Sequence, residues 1–369
     1  MMKKLLFSLL IGVALVSCSE PMNVYDNVIK VNIEDARPME LSELVESIEI
    51  IPLETNDSCL VGEHHSMQVR NGIVYITNEQ KEVLKFDAKG KFLRSTLPHR
   101  GQRADEYIIA YSNYVDEDEN LDIYEMYLPR IQKFTKEFDF IETIPVEVPN
   151  TLSTLRARTH VKLNDSIYIF KDVYDIHFYS ITEKRTIKTL HEDFPPLLGQ
   201  TTQLMMIDYD NKWHYSRSYS CDTLFYLDEK ELTFKPELIF DFGGKSFNVN
   251  DMPSDMSIEY YQKYLVETDK LLVLEKINLS DRKYCFFLKG ENSYVSCTSK
   301  KGTKVYKQSK KNQLPTPHAI ENNIFYNLVW PEKLENYIQS ELMDKESLKH
   351  IQQVKDDDNP VLVCYRLKK

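Results

Sequence analysis

The chain has 369 residues, 28% of them charged, and a formal net charge of −11. An acidic balance repels phosphate backbones, and no basic stripe interleaved with aromatics offsets it, which argues against a nucleic-acid partner. The 23 tyrosines and 17 phenylalanines favour strands and half-buried faces.

Lys3 and Lys4 precede an almost continuous apolar run over residues 5–16. The run falls well short of the roughly 20 residues that cross a bilayer core, which suits a cleaved export signal over residues 1–17. It ends in Leu15-Val16-Ser17-Cys18, which resembles the bacterial lipobox. In that motif a small residue fits the signal peptidase and the thiol accepts a diacylglyceryl group. Cys18 is therefore the expected lipidation site, and the chain is anchored to a membrane rather than spanning it. Without Lys3 and Lys4, 44 basic residues face 57 acidic ones, a net charge of about −13. Residues 18–40 are expected to be a tether and residues 41–369 the folded domain. The expected address is the cell envelope, as an outer-membrane lipoprotein whose orientation, periplasmic or outward, stays open.

Within the folded domain a single pattern recurs: two polar turn residues, then a short alternating apolar strand. Asn71-Gly72 precedes Ile73-Val74-Tyr75-Ile76, and Glu119-Asn120 precedes Leu121-Asp122-Ile123-Tyr124. Asn164-Asp165, Asp210-Asn211, Asp269-Lys270 and Asn322-Asn323 introduce four further strands of the same kind. The pitch, near fifty residues, matches a four-stranded propeller blade. Further strands follow within each unit, as where residues 82–87 lead through Ala88-Lys89-Gly90 into Lys91-Phe92-Leu93-Arg94, a hairpin with glycine at its turn. The fold class is therefore all-β, a six-bladed β-propeller with four-stranded antiparallel blades. Residues 254–269 carry Ile258, Tyr261 and Leu265 at helical spacing and read as an insertion between the fourth and fifth blades.

In the sixth unit Pro331 starts a helical pattern with Leu334, Tyr337, Ile338 and Leu342 on one face, and Leu348 and Ile351 continue in a second short helix. Residues 361–367 form a strong strand, as do residues 47–53 near the other end. Pairing them in one blade would close the ring and leave no exposed edge at the seam. Besides Cys18 there are five cysteines, with no CxxC pair and no Cys/His metal spacing. A three-residue loop in the turn at residues 289–292 would set Cys285 opposite Cys297. A disulfide is then possible in the envelope, but buried free thiols are the preferred reading.

Four features together resemble the six-bladed β-propeller lipoproteins of Bacteroidetes, relatives of the NHL-repeat propellers. They are the lipobox around Cys18, Ile48-Glu49-Ile50-Ile51-Pro52-Leu53-Glu54-Thr55, Val83-Leu84-Lys85-Phe86-Asp87 with Gly90-Lys91-Phe92-Leu93, and the terminal Asp358-Asn359-Pro360-Val361-Leu362-Val363-Cys364-Tyr365. The resemblance implies fold more sharply than activity. Its typical Gly-x-Gly-Pro-Gly-Glu-Tyr loop is altered here to Gly101-Gln102-Arg103-Ala104-Asp105-Glu106-Tyr107. Whatever that loop owes to glycine backbone freedom is in doubt.

Two segments are candidate ligand sites. Arg100 and Arg103, with Glu106 and Tyr107, sit in a polar inter-blade connection where two guanidinium groups would clamp a carboxylate or sulfate. Against this, Glu106 and an arginine equally suit a tie between blades, and that reading is preferred. Trp213, His214 and Tyr215, close to Arg217 and Tyr219, form an aromatic cluster of the kind that stacks on sugars. Strand alternation sends Trp213 and Tyr215 to one face and His214 to the other, and a blade core needs such aromatics anyway. No metal site is expected. His64 and His65 point to opposite faces of a strand, and the acidic runs at residues 116–119 and 356–358 lack the spacing of a calcium loop.

No catalytic motif is present, and no cofactor is expected. The leading functional expectation is a non-catalytic, monomeric envelope module that binds a glycan, peptide or partner protein on the loop face of the ring. The alternative is a hydrolase or lyase acting on extracellular sugars or lactones at the channel mouth, to be recognised by carboxylates and a histidine converging at one end.

Overall fold

The computed structural model describes residues 27–63, 66–78, 80–125, 128–147, 159–172, 175–191, 205–209, 212–216, 221–247, 263–264 and 266–369. Cys18, His64, His65, Arg217, Tyr219 and the helical pattern at Ile258, Tyr261 and Leu265 lie outside them. The strands build six antiparallel meanders arranged as a propeller. The first blade runs Ser66–Arg70, Ile73–Thr77, Val83–Phe86 and Phe92–Ser95. The second runs Ala110–Val115, Leu121–Glu125, Arg130–Phe134 and Phe140–Pro145, and the third Thr159–Asn164, Ile167–Lys171, Asp175–Ser180 and Arg185–His191. The fourth holds Met205–Tyr209, Lys212–Ser216, Thr223–Asp228 and Thr233–Asp241, and the fifth Leu271–Asn278, Lys283–Lys289, Asn292–Ser299 and Gly302–Lys307.

The sixth blade is composite. Ala319–Glu321, Ile324–Val329 and Val361–Leu367 come from the C-terminal end, and Val45–Pro52 supplies the outer strand. This is the closure that the two terminal strands predict. Val361, Val363, Tyr365 and Leu367 pack toward the fifth blade, while Leu362 and Cys364 pack toward the first. A strand buried on both faces reads as a continuous apolar run, which is why this segment stands out in the sequence. The core is accordingly distributed as apolar layers between neighbouring blades rather than as one central mass.

Turn chemistry places the strands. Asn71 and Gly72 have φ of 52° and 75°, and Asn322 and Asn323 have φ of 49° and 63°. Both pairs occupy the left-handed region that a two-residue hairpin with right-twisted strands demands, and asparagine and glycine tolerate it best. The fifth unit differs in phase. Asp269-Lys270 leads into the first strand of its blade, whereas the corresponding pairs lead into the second.

Two expectations need correction, and for Cys285 and Cys297 the preferred reading, buried free thiols, holds. Some of the expected tether belongs to the ring: Val28–Lys30 pairs in parallel with the outer strand of the fourth blade, and Arg37–Pro38 with that of the fifth. Val31 and Ile33 sink between the fourth and fifth blades, and Met39, Leu41 and Leu44 between the fifth and sixth. The segment satisfies backbone groups that would otherwise be left on open sheet edges. Residues 331–342 form 3-10 turns, Pro331–Tyr337 and Ser340–Leu342, and the α-helix begins only at Lys345, after Asp344 accepts a 2.7 Å bond from the Ser347 N–H. This helix, Lys345–Gln353, covers the sixth blade's outer edge: Ser347 Oγ accepts from the Ile50 N–H at 3.1 Å, and His350 Nδ1 donates to the Ile50 carbonyl at 2.8 Å. Finally, the hairpin at Gly290-Glu291 has a two-residue loop, with Lys289 opposite Asn292. That pairs Cys285 with Ser296 and Cys297 with Tyr284, so the sulfurs point to opposite faces of the sheet, and both cysteines are free.

The seam is locked by one side chain. Buried Asn359 accepts from the Val61 N–H at 2.9 Å and donates to the carbonyls of Glu54 at 2.7 Å and Cys59 at 2.8 Å. Its own N–H donates to Thr55 Oγ1 at 2.8 Å. Gly90 completes the joint. Its φ is +76°, and a Cβ there would lie 2.2 Å from the Pro52 carbonyl oxygen. Asn359→Ala strands two buried backbone groups, the Val61 N–H and the Cys59 carbonyl, and should cost about 3 kcal/mol. Gly90→Ala adds a left-handed alanine to a backbone clash and should also be destabilising. Urea unfolding of both variants, with an unchanged m-value, checks this.

Candidate functional site

Antiparallel order puts the connections between second and third strands, and those between successive blades, on one face of the ring. The loop at residues 96–109 lies there. Tyr107 is fully buried and its hydroxyl bonds Thr96, while its N–H donates to the His99 carbonyl at 2.9 Å. Glu106 accepts from the Arg103 N–H at 2.9 Å and pairs with Arg103 Nε at 3.0 Å, and Arg103 also meets Asp105 at 3.0 Å. The Glu106 carboxylate lies against Gly101, where a Cβ would come within 1.9 Å of it. Arg130 and Gln132 of the second blade donate to the Glu106 carbonyl at 2.7 and 2.8 Å. Arg103 and Glu106 thus hold each other within the loop, and the Glu106 backbone carbonyl fastens it to the second blade. Arg100 is exposed beside them.

Trp213 and Tyr215 are 8% and 3% exposed and pack in the layer between the third and fourth blades. Tyr215 sits 4.8 Å from the Phe234 ring, and Trp213 6.3 Å from Tyr114, centroid to centroid. Their faces serve the core. His214 turns to the other side, as alternation requires, where its Nδ1 donates to the Lys212 carbonyl at 3.0 Å. His214, and Lys212 after it, hold the Glu237 carboxyl below the usual carboxylate range.

The structure gathers a different group on the same face of the ring, at the third blade. Asp172 directly follows the second strand, and Asp175 and His177 alternate along the third strand, so the side chains of these two share one face. Asp172 accepts from the Asp175 N–H at 2.7 Å, which folds the turn back and brings its other oxygen to 3.4 Å from His177 Nε2. Ligand atoms of Asp172, Asp175 and His177 all lie within 4.8 Å of one another. Around them, His191 Nδ1 bonds Asp175 at 2.7 Å and Thr189 Oγ1 bonds His177 Nδ1 at 3.0 Å, both from the fourth strand. His177 is fully buried, but the His191 side chain is 57% exposed, so the group opens to solvent at one side. The signal in the sequence is Asp172-x-x-Asp175-x-His177. It is visible only when the turn between two strands is known to return Asp172 to the strand's face.

His160 lies next in register, paired with Phe170, which pairs in turn with His177. Burial pushes its pKa down to about 3, so it is neutral, and its ring stacks on Phe170 at 6.0 Å. Between the second and third blades, Tyr168 donates to Asp122 at 2.5 Å. Burial raises the Asp122 carboxyl to about 6 despite that bond.

A six-bladed propeller with composite closure and a polar group on its loop face is the class that the fold and site define. The chain belongs to the family described as Domain of unknown function (DUF4934), which matches residues 26–366. Among solved structures it is similar to a Bacteroides fragilis protein described as exported, with a TM-score of 0.67 and 15% identity, over 93% of this chain and 99% of that one. It is also similar to a member of the DUF4221 family from Bacteroides vulgatus, with a TM-score of 0.52 and 10% identity, over 88% of this chain and 97% of that one. These likenesses show the fold, and the expected kinship with Bacteroidetes propellers holds. No curated protein matches.

The raised Asp122 pKa has a defined sign. A carboxyl that is about 3.8 unfolded and about 6 folded makes the native state bind the extra proton between those values, so stability falls as pH rises through that window. Asp122→Asn keeps an acceptor for Tyr168. It should be nearly neutral at pH 4 and stabilising by about 2 kcal/mol at pH 7, as read from denaturation midpoints at the two pH values.

Proposed function

We propose that this protein is a cell-envelope lipoprotein, acylated at Cys18, that acts as a binding module for a glycan or peptide at the crevice between its second and third blades. The observation that carries the reading is the preorganised group Asp172, Asp175, His177 and His191 on the loop face. Each side chain is held by a neighbour: Asp175 by His191, Asp172 by a backbone N–H, and His177 by Thr189. Carboxylates fixed in this way accept hydrogen bonds from sugar hydroxyls or from peptide ammonium and amide groups without first losing side-chain freedom. The exported description of the Bacteroides fragilis neighbour supports an envelope address, as does the lipobox. No helix among the described residues is long and apolar enough to cross a membrane. With Val28 already paired to the fourth blade, the stretch from Cys18 reaches at most about 30–35 Å when extended, which holds the ring near the membrane.

A second reading, a hydrolase or lyase acting on sugars or lactones, draws on the same convergence of two carboxylates and a histidine. Binding ranks first because Asp172, Asp175 and His177 are each already oriented by a backbone or side-chain partner, which suits recognition through fixed acceptors.

Two measurements test this. Cys18→Ala should move the protein from the membrane to the soluble fraction. Surface-immobilised protein passed over glycan and peptide libraries should bind a ligand whose affinity falls at least about tenfold in Asp175→Asn. Silence across both libraries, or turnover of a sugar or lactone panel abolished by the same substitution, would overturn the binding reading.

A further inference from the structure

We infer that Asp172, Asp175 and His177 form a site for a divalent transition-metal cation, with zinc the best fit, and that His191 and Thr189 orient its ligands. The inference deepens the reading of the crevice given above and rests on the same residues.

The geometry points to a metal more than to a plain hydrogen bond. At 3.4 Å, His177 Nε2 and Asp172 Oδ2 are farther from each other than in a good N–H···O bond. Two ligands bound to zinc at about 2.0–2.1 Å in a tetrahedron are separated by about 3.4 Å. The pair therefore already spans one edge of such a tetrahedron. Asp175 offers the third ligand, within 4.8 Å of both, so closing the site needs a shift of about an ångström in one carboxylate.

The surrounding bonds match what metal-ligating groups require. An imidazole that binds through Nε2 must carry its proton on Nδ1, and Thr189 Oγ1 lies 3.0 Å from that atom to accept it. Asp175 Oδ1 is held by His191 Nδ1 at 2.7 Å. A carboxylate that binds a metal is in turn hydrogen-bonded in such sites, and His191 supplies that bond here. The fully buried His177 forms a closed wall, and the exposed His191 marks the entry side, where a water or a ligand atom would take the fourth position.

Donor chemistry selects the ion. One imidazole nitrogen and two carboxylates suit zinc or manganese, whereas calcium takes six to eight oxygens and magnesium keeps most of its water. The Irving–Williams order then places zinc above manganese. No covalent or redox step is involved.

The test is calorimetric titration of the purified, chelator-stripped protein with zinc chloride, manganese chloride and calcium chloride. The expected result is one saturable equivalent of zinc, weaker manganese and no calcium. His177→Gln and Asp175→Asn should each weaken zinc at least about 100-fold, and His191→Gln, a positioning change, about tenfold. Far-UV circular dichroism and melting of the metal-free variants show whether they fold. Cobalt(II) bound to the unsubstituted protein gives visible absorption bands that report the site directly, and those bands should be absent in His177→Gln. Absence of zinc binding, or one equivalent retained by the folded His177→Gln/Asp175→Asn double variant, overturns the metal site. The library experiment is run in chelator, so its outcome bears on ligand binding independently of the metal.

Discussion

The whole architecture depends on one joint, where Val361–Leu367 is clasped between Ile324–Val329 from its own end of the chain and Val45–Pro52 from the other. A propeller has no central core to fall back on. Its apolar layers lie between blades, so each blade is stable only while both neighbours are present. If the seam opens, two layers become exposed at once, those shared by the sixth blade with the first and the fifth. The Asn359 amide, Gly90 against Pro52, and the Glu54 N–H donating to the Gly90 carbonyl at 2.8 Å all reinforce this one place. Three of the four segments that carry the family resemblance meet here, which gives that resemblance a physical cause.

The seam repeats a contact found elsewhere in the ring. Lys85 donates to the Lys136 carbonyl at 2.8 Å and Lys188 to that of Glu231, so strands of one blade reach the turn between the third and fourth strands of the next. On the opposite edge, Glu321 of the sixth blade accepts from the Asn71 and Gly72 N–H groups at 2.6 and 2.9 Å, capping the first blade's hairpin. The belt at residues 28–38 and the helix Lys345–Gln353 then cover the outer edges of three consecutive blades. Exposed strand edges recruit other chains, and these blades leave few of them.

The closed ring fixes the strands that carry the candidate site. Asp175, His177, Thr189 and His191 lie on two paired strands rather than on loops, and only Asp172 comes from a turn. Their geometry is therefore set by the sheet ladder, which holds side chains more tightly than a loop does. The same side of the blade carries His160 and Phe170, so a row of aromatic and polar groups runs from the inner strand out to the candidate site.

By itself the sequence determined the strands, the six-fold meander and the closing pair of termini. These follow from period-two alternation, from asparagine and glycine at left-handed turn positions, and from terminal segments apolar on both faces, all of which are local properties. Tertiary structure alone decided what depends on register and on distant partners. A two-residue loop rather than three separated Cys285 from Cys297, and free sheet edges drew Val28–Lys30 and Arg37–Pro38 out of the expected tether. The pairing of Glu106 with an arginine was legible in the sequence, but that Arg103 is the partner and that the pair stays within one loop was not. The candidate site was hidden for the same reason: Asp172 joins Asp175 and His177 only because one turn folds back, and His191 arrives from another strand.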